Sequence, residues 1–306
     1  MNRWSYSTYK SLLSVSGDDH YLQVEVPRAA LKHDFLLDGI LSMSALEIAM
    51  SGEETDPAPY IYAALEYYDK GSTSFRANLS NVTKEKHFSM YIFSSLAAAI
   101  NFALPQCVRD SEGGKSSALT SVLGLFELMI GTGVLGWQNW EALMESPLKG
   151  SIDTAMAAMT IQQTEPLGDD ILAAFERLGA VVDGLEGNAE ACKAYRTAVS
   201  MLHFCFVEAS KGLIRCFFLA FPVMVGQAFN IALKNEEPVA LFILMHFGVL
   251  LDNESDDRWW AKGVGRSLVL EISDALLLLQ TRFSGTPASQ DGIIWARQKV
   301  GLPTLS

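Results

Sequence analysis

Apolar positions recur at three- and four-residue steps along most of the 306 residues, and no β-branched alternating run exceeds about five residues. That periodicity predicts an all-α chain: an irregular multi-helix bundle enclosing an apolar cavity. The segment 34–50 carries Phe35, Leu36, Ile40, Met43, Leu46 and Ile48 around much of its circumference, so it is expected to run through the core. A polar, proline-containing break at 53–59 precedes an amphipathic helix over 60–79, with Glu66, Lys70 and Arg76 on its wet side. The next helix is expected over 84–104, ended by Pro105, and another over 119–134. Later helices are expected at 169–183, where Asp169 and Asp170 suit a helix N-terminus, at 189–210, at 265–283 and at 289–300. The most apolar passages, 212–233 and 238–251, read as buried core helices.

Between these elements, 109–117 (RDSEGGKSS) offers nothing to bury and is expected as an exposed loop. The stretch 137–168 is broken by Pro147, Gly150 and Pro166, and either connects two bundle halves or covers a pocket. No self-similarity at helical-repeat period is present, so the expectation is one α-helical domain over 1–306, with the two packed halves, if formed, joined around 137–168.

Composition narrows the function classes. With 49% hydrophobic residues and a mean hydropathy of +0.18, the chain can bury a large core with apolar surface left to line a cavity. A net charge of −12 without a dense Lys/Arg block disfavours direct nucleic-acid binding. Cys107, Cys192, Cys205 and Cys216 form no C-x-x-C pair and have no His at zinc-finger spacing, so reduced thiols and no metal or cofactor are expected. The polar, aromatic start lacks a signal-peptide pattern, which points to a cytoplasmic or nuclear protein rather than a secreted one. The passage 212–233 carries Arg215, Pro222, Gln227 and Asn230, and 238–251 is too short to span a bilayer, so no membrane span is expected.

Catalytic signatures are sparse. GGKSS at 113–117 lacks the upstream glycine and strand of a phosphate loop, and no G-x-S-x-G elbow or Ser-His-Asp order is present. Asp169 and Asp170 lack a third acid one turn on. Asp252, Glu254, Asp256 and Asp257 fall between helices, where pairing with Arg258, Lys262 or Arg266 is the expected role rather than a metal site. His203 and His246 lie in apolar surroundings where a buried imidazole can move protons. Glu208, one residue past i+4 from His203, is expected to pair with Arg215, because a cation in an apolar helix needs an anion. These four side chains are the catalytic candidates if the chain is an enzyme.

Several blocks, in a fixed order, carry more information than any one of them. They are WSYSTYKSL at 4–12, VPRAALKHDFLLDGILSMSALEIA at 26–49, YIYAALEYYDKGSTSFRANLSNVT at 60–83, FSSLAAAI at 93–100, LFELMIGTGVL at 125–135, and PVALFILMHFGVLL at 238–251 followed by DDRWWAKGVG and RSLVLEIS. This series resembles the regulatory domain of fungal sterol-uptake-control zinc-cluster transcription factors, over residues 4 to about 300. The six-cysteine cluster with which that family reads DNA has no counterpart here, and the chain opens at Met1 almost on the regulatory domain and stops at Ser306 soon after IIWARQKVGLP. An excised domain and a free-standing relative are both expectations that fit.

The resemblance implies a sterol- or terpenoid-like apolar ligand. Eleven Met and sixteen Phe provide soft walls for it, with Phe93, Phe126, Met129, Met201, Phe204, Met245, His246 and Phe247 as candidate lining, and His246 or Arg215 orienting the ligand oxygen. Two functions follow. One is a ligand sensor that acts through a fused DNA-binding region, a homodimer or a full-length regulator. The other is a repurposed enzyme that cyclises or isomerises a terpenoid or polyketide by holding a reactive conformer.

Overall fold

The protein is described from a computed structural model, over residues 1–112, 117–162, 167–185, 189–255, 257–278 and 286–303, with side chains left out at 108–112. The fold is all-α: every regular element among the described residues is a helix. The chain forms two compact units, each discontinuous in sequence. The first is Met1–Ser116 with Glu127–Ile161 and Asp257–Trp260; the second is Ser117–Phe126 with Gln162–Asp256 and Ala261–Ser306.

The first unit contains α1 (Asn2–Tyr6), α2 (Asp18–His20), α3 (Val26–Ala30), α4 (Asp34–Ser51), α5 (Ala58–Asn78), α6 (Lys84–Glu112), the later part of α7 (Ala118–Gln138), α8 (Trp140–Met144) and α9 (Lys149–Thr160). As its all-round apolar pattern predicts, α4 is central: Leu36, Ile40, Met43 and Leu46 are fully buried, and α5 and α6 both pack on it. Close approach relies on small residues. A Cβ on Gly39 would stand 2.9 Å from the Phe93 ring, and one on Gly71 would stand 3.1 Å from the Phe35 carbonyl. Ser42 Oγ donates to the Ala64 carbonyl at 2.9 Å, tying α4 to α5. The N-terminal segment docks through polar groups: Glu47 on α4 accepts from Ser7 Oγ at 2.5 Å and from Thr8, and Trp4 Nε1 donates to the Leu22 carbonyl.

Asp257–Trp260 also belongs to this unit. Arg258 donates to the carbonyls of Lys10 and Leu13, and Trp260, 2% exposed, donates its indole N–H to the Ser11 carbonyl at 3.2 Å. The DDRWW corner therefore uses its cation to satisfy backbone acceptors; Asp256 lies outside the described residues. Pro105 does not end α6, which runs to Glu112. Proline removes one backbone donor at a cost of about 3 kcal/mol; the helix nevertheless continues, and the next residue, Gln106, bonds the Phe102 carbonyl of the same helix and, at 2.6 Å, the Trp260 carbonyl.

The second unit contains the start of α7 and α10 (Asp169–Asp183), α11 (Ala189–Lys211), α12 (Phe221–Met224), α13 (Gln227–Lys234), α14 (Pro238–Glu254), α15 (Val264–Leu278) and α16 (Pro287–Lys299). Every residue of α14 from Val239 to Leu251 is buried. α15 crosses it at a glycine contact so close that a Cβ on Gly265 would stand 2.4 Å from the Asp252 nitrogen and 2.5 Å from the Gly248 carbonyl. Asp252 also accepts the Arg266 backbone N–H at 3.0 Å, capping the crossing.

The expected single helix over 212–233 is corrected here. Gly212 takes φ +65° and ends α11, a 3₁₀ turn covers Phe217–Ala220, and Gly226 at φ +82° separates α12 from α13, so that the two apolar pieces meet at 95°. Glycine adopts such left-handed backbone without the Cβ penalty. No membrane span was expected; two of the expected helices, α6 over Lys84–Cys107 and α7, are nevertheless long and apolar enough to cross a membrane by length and composition, with 67% of the apolar window in α6 and 33% in α7 buried inside the structure.

Candidate functional site

A cavity of about 460 Å³ lies within the first unit, between α5, α6 and the later part of α7. On α5 the lining residues are Tyr68, Ser72, Phe75 and Arg76, continued by Leu79; their spacing of four, three, one and three residues is one helical stripe. α6 contributes Phe93, Ser94 and Ala97, and α7 contributes a face from Glu127 to Gln138 that includes Leu128, Gly131, Thr132 and Leu135. The floor is buried: Phe93, Ser72, Ser94, Ala97, Thr132 and Leu135 are all under one-tenth exposed. The rim is not, since Arg76, Leu79, Glu127, Val134 and Gln138 are exposed.

The floor is built around one phenylalanine. Phe93 packs edge-on to Phe35 at 5.7 Å and tilts against Phe75 at 4.8 Å, held over Gly39 and Gly71. The α7 wall is fixed to α6 by fully buried His87, whose Nε2 donates to the Leu135 carbonyl at 2.8 Å. Gly131 is exposed at the same rim, and a Cβ there would meet nothing within 4 Å, so glycine leaves the mouth of the cavity open.

The polar groups of the floor differ in one respect. Thr132 Oγ1 donates to the Leu128 carbonyl at 2.9 Å and Ser94 Oγ to the Tyr91 carbonyl at 2.8 Å, each satisfied within its own helix. Ser72 Oγ is buried and has no hydrogen-bond partner, although the carbonyl of Tyr68 one turn back is the usual acceptor for such a serine. An unmet buried hydroxyl costs about 1–3 kcal/mol, so this position is one where a ligand oxygen can be received. The chemistry on offer is reception of an apolar body with one or two hydrogen-bonding oxygens.

Of the residues expected to line a ligand site, Phe93 lines this cavity. Met129 is on α7 in the same unit, half-buried. The others belong to the second unit. Phe126 and Phe247 pack edge-on at 5.5 Å in an aromatic core with Phe221, Met245 is fully buried on α14, and Met201 and Phe204 are half-buried on α11, with Phe204 edge-on to Phe217. The second unit also has a shallower depression of about 220 Å³, lined by Cys192, Tyr195 and Glu237 among others; the Tyr195 hydroxyl donates to Glu237.

The four catalytic candidates are not drawn together: no hydrogen bond or ion pair joins any two of them. The expected Glu208–Arg215 pair is corrected, because Glu208 binds Lys211 one turn on at 2.7 Å, with both side chains buried, while Arg215 sits exposed in the turn after α11. The helix that would have buried Arg215 does not form. His203 is half-buried and edge-on to Phe175 at 4.8 Å. His246 is 1% exposed, stacked on Trp295 at 5.3 Å, and its Nδ1 donates to the Phe242 carbonyl at 2.8 Å, leaving Nε2 without a partner. Burial lowers its pKa to about 4, with nearby Arg177 acting in the same direction and the Phe242 bond opposing, so the ring is neutral at pH 7. Of the segment expected as an exposed loop, 109–112 instead continue α6 and 113–116 lie outside the described residues, as does Asp256; Asp252 and Glu254, expected between helices, fall in the last turns of α14. Among the described residues no group of three or more His, Cys, Asp or Glu is placed to hold a metal ion.

Sequence reasoning missed Ser72, Phe75, Thr132 and Gly131. One signal was present: Tyr68, Ser72, Phe75, Arg76 and Leu79 form a single stripe that mixes aromatic, hydroxyl and cationic groups, which suits a lined groove better than a sealed core. Neither a scan against protein-family models nor a search of curated proteins returns a match for this chain.

Proposed function

We propose that this chain is a ligand-binding domain that takes an apolar small molecule of the sterol or terpenoid class in the α5–α6–α7 cavity, as a regulatory domain of the fungal sterol-uptake-control type does in sensing its effector. The observation that carries this reading is the cavity itself: about 460 Å³, with Phe93 at its floor and a buried serine hydroxyl lacking a partner. That volume falls within the range of roughly 300–1,000 Å³ typical of small-molecule pockets, and the lining has the expected mixture of many apolar and few polar groups. The resemblance of the ordered sequence blocks supports the same reading, because α5, α6 and α7 coincide with three of those blocks. Output through a fused DNA-binding region or a partner regulator is part of the proposal. Catalysis by His246, Arg215, Glu208 and His203 has no supporting constellation.

The test is native mass spectrometry of the purified chain after incubation with a fungal lipid extract, alongside Gly131→Trp, which closes the cavity mouth. Retention of an intact apolar compound by the native chain and its loss in the variant is the expected result. Equal retention by both would place the ligand elsewhere, and conversion of a compound into an isomer would replace the sensor reading with the enzymatic one.

A further inference from the structure

We infer that the cavity selects a neutral, oxygen-bearing ligand through Ser72, with that oxygen seated at the buried floor and the hydrocarbon body directed toward the rim. The inference rests on the ligand-binding reading above and adds the ligand's polarity and orientation. Ser72 is 8% exposed, lines the cavity, and has no partner for its hydroxyl. Among the described residues, several helical serines and threonines turn back onto their own helix, as Ser44 does to Ile40, Thr132 to Leu128 and Ser267 to Gly263, and Ser42 reaches the Ala64 carbonyl of the neighbouring helix. Ser94 is the informative neighbour: it lines the same cavity and its hydroxyl is already committed to the Tyr91 carbonyl.

A serine hydroxyl both donates and accepts, so an alcohol or a ketone satisfies it equally. A carboxylate does not fit at that depth. The buried floor holds Phe93, Ser94, Ala97, Thr132 and Leu135 and no cation, and an anion buried without a cation is strongly disfavoured. Arg76 lies one turn further along the α5 stripe, at the exposed rim, where its guanidinium makes a long 3.4 Å hydrogen bond to the Thr73 hydroxyl. An acid would therefore bind the opposite way round, with its head at Arg76 and independent of Ser72; Glu127 shares that rim and weakens this mode.

The experiment compares three probes that share one apolar chain: farnesol, farnesene and farnesoic acid. Binding is titrated to the full chain and to Ser72→Ala, Ser94→Ala and Gly131→Trp, each checked for an unchanged thermal unfolding midpoint except where the cavity is closed. Farnesol is expected to bind about five- to tenfold more tightly than farnesene, the worth of one hydrogen bond. Ser72→Ala should bring farnesol to the farnesene level and leave farnesene and farnesoic acid unchanged, while Ser94→Ala should preserve the preference. Equal binding of alcohol and hydrocarbon, or equal effects of the two serine substitutions, overturns the role of Ser72 while leaving the cavity as the site, provided Gly131→Trp still blocks binding. If Gly131→Trp binds every probe as the native chain does, or no probe binds at all, the cavity reading falls and this inference with it.

Discussion

Two aromatic clusters show how the same residue types reach different ends. In the first unit, Phe35, Phe75 and Phe93 pack together and one side of the group faces open space; in the second, Phe126, Phe221 and Phe247 pack together and are enclosed by Phe218 and Phe229. Phe93 and Phe247 are both essentially buried, so burial does not separate them. What separates them is the opposing wall. Ser72, Ser94, Ala97 and Gly131 are too small to fill the space before Phe93, whereas phenylalanines from the 217–229 segment fill the space before Phe247. A phenylalanine-rich helix therefore tells little about ligand binding until the size of its neighbours is known.

The largest expected effect breaks the packed side of the comparison outright. Gly265→Val places a branched side chain where backbone atoms of α14 stand 2.4 and 2.5 Å from the Cβ position; neither side chain nor rotamer can relieve this, and a loss of about 4 kcal/mol or more is expected in urea unfolding. Next, Phe247→Ala should cost about 3–5 kcal/mol of stability, with apolar-probe affinity unchanged in whatever fraction remains folded. Half-buried Phe75 gives the converse: Phe75→Ala should cost less in stability and lower probe affinity. If the affinity loss followed Phe247 instead, the contrast between the clusters would be reversed.

A pH titration sharpens the packed side in a different way. His246 is neutral in the folded state, with its pKa lowered from the ordinary 6.5 to about 4, so on acidification the unfolded chain takes up its proton first. Stability should be fully present above pH 6.5 and fall as the pH drops from there to about 4, by up to about 3 kcal/mol from this one group. His246→Leu should flatten the fall over that window when unfolding free energy is measured by chemical denaturation; an unchanged slope would show that the ring is accessible to protons in the folded state. The smallest stability effect is expected at the open cluster. Gly131→Leu enters free space and removes a helical glycine, so stability should hold or rise by about 0.5–1 kcal/mol while probe binding is lost.

Much of the helical framework was legible because periodicity and breakers act locally. Asp169 and Asp170 mark the start of α10, and the charge-free run from Pro238 announces a helix buried on every side. Expectations failed where residues far apart in sequence meet. Pro105 would stop an isolated helix, yet α6 continues through it, and Gln106 reaches a carbonyl 154 residues away. Gly212, Pro222 and Gly226 were visible inside 212–233, yet their combined effect, two short helices at 95°, depends on what the apolar faces pack against. Arg215 followed that error: assigned to a helix interior it needed Glu208, and placed in a turn it has solvent instead.

By itself, then, the sequence determined the all-α class, the central place of α4 and α14 and the boundaries of α10 and α11, since each depends on a pattern confined to one segment. The tertiary structure alone decided where space remains. An apolar stripe is compatible with a filled core or a lined cavity, and the choice belongs to the residues opposite, brought from helices as far apart in sequence as Ser72, Phe93 and Gly131. It also decided which polar group is left over, because Ser72 and Ser94 are the same residue type in similar helices, and only their packed surroundings leave one hydroxyl satisfied and the other not.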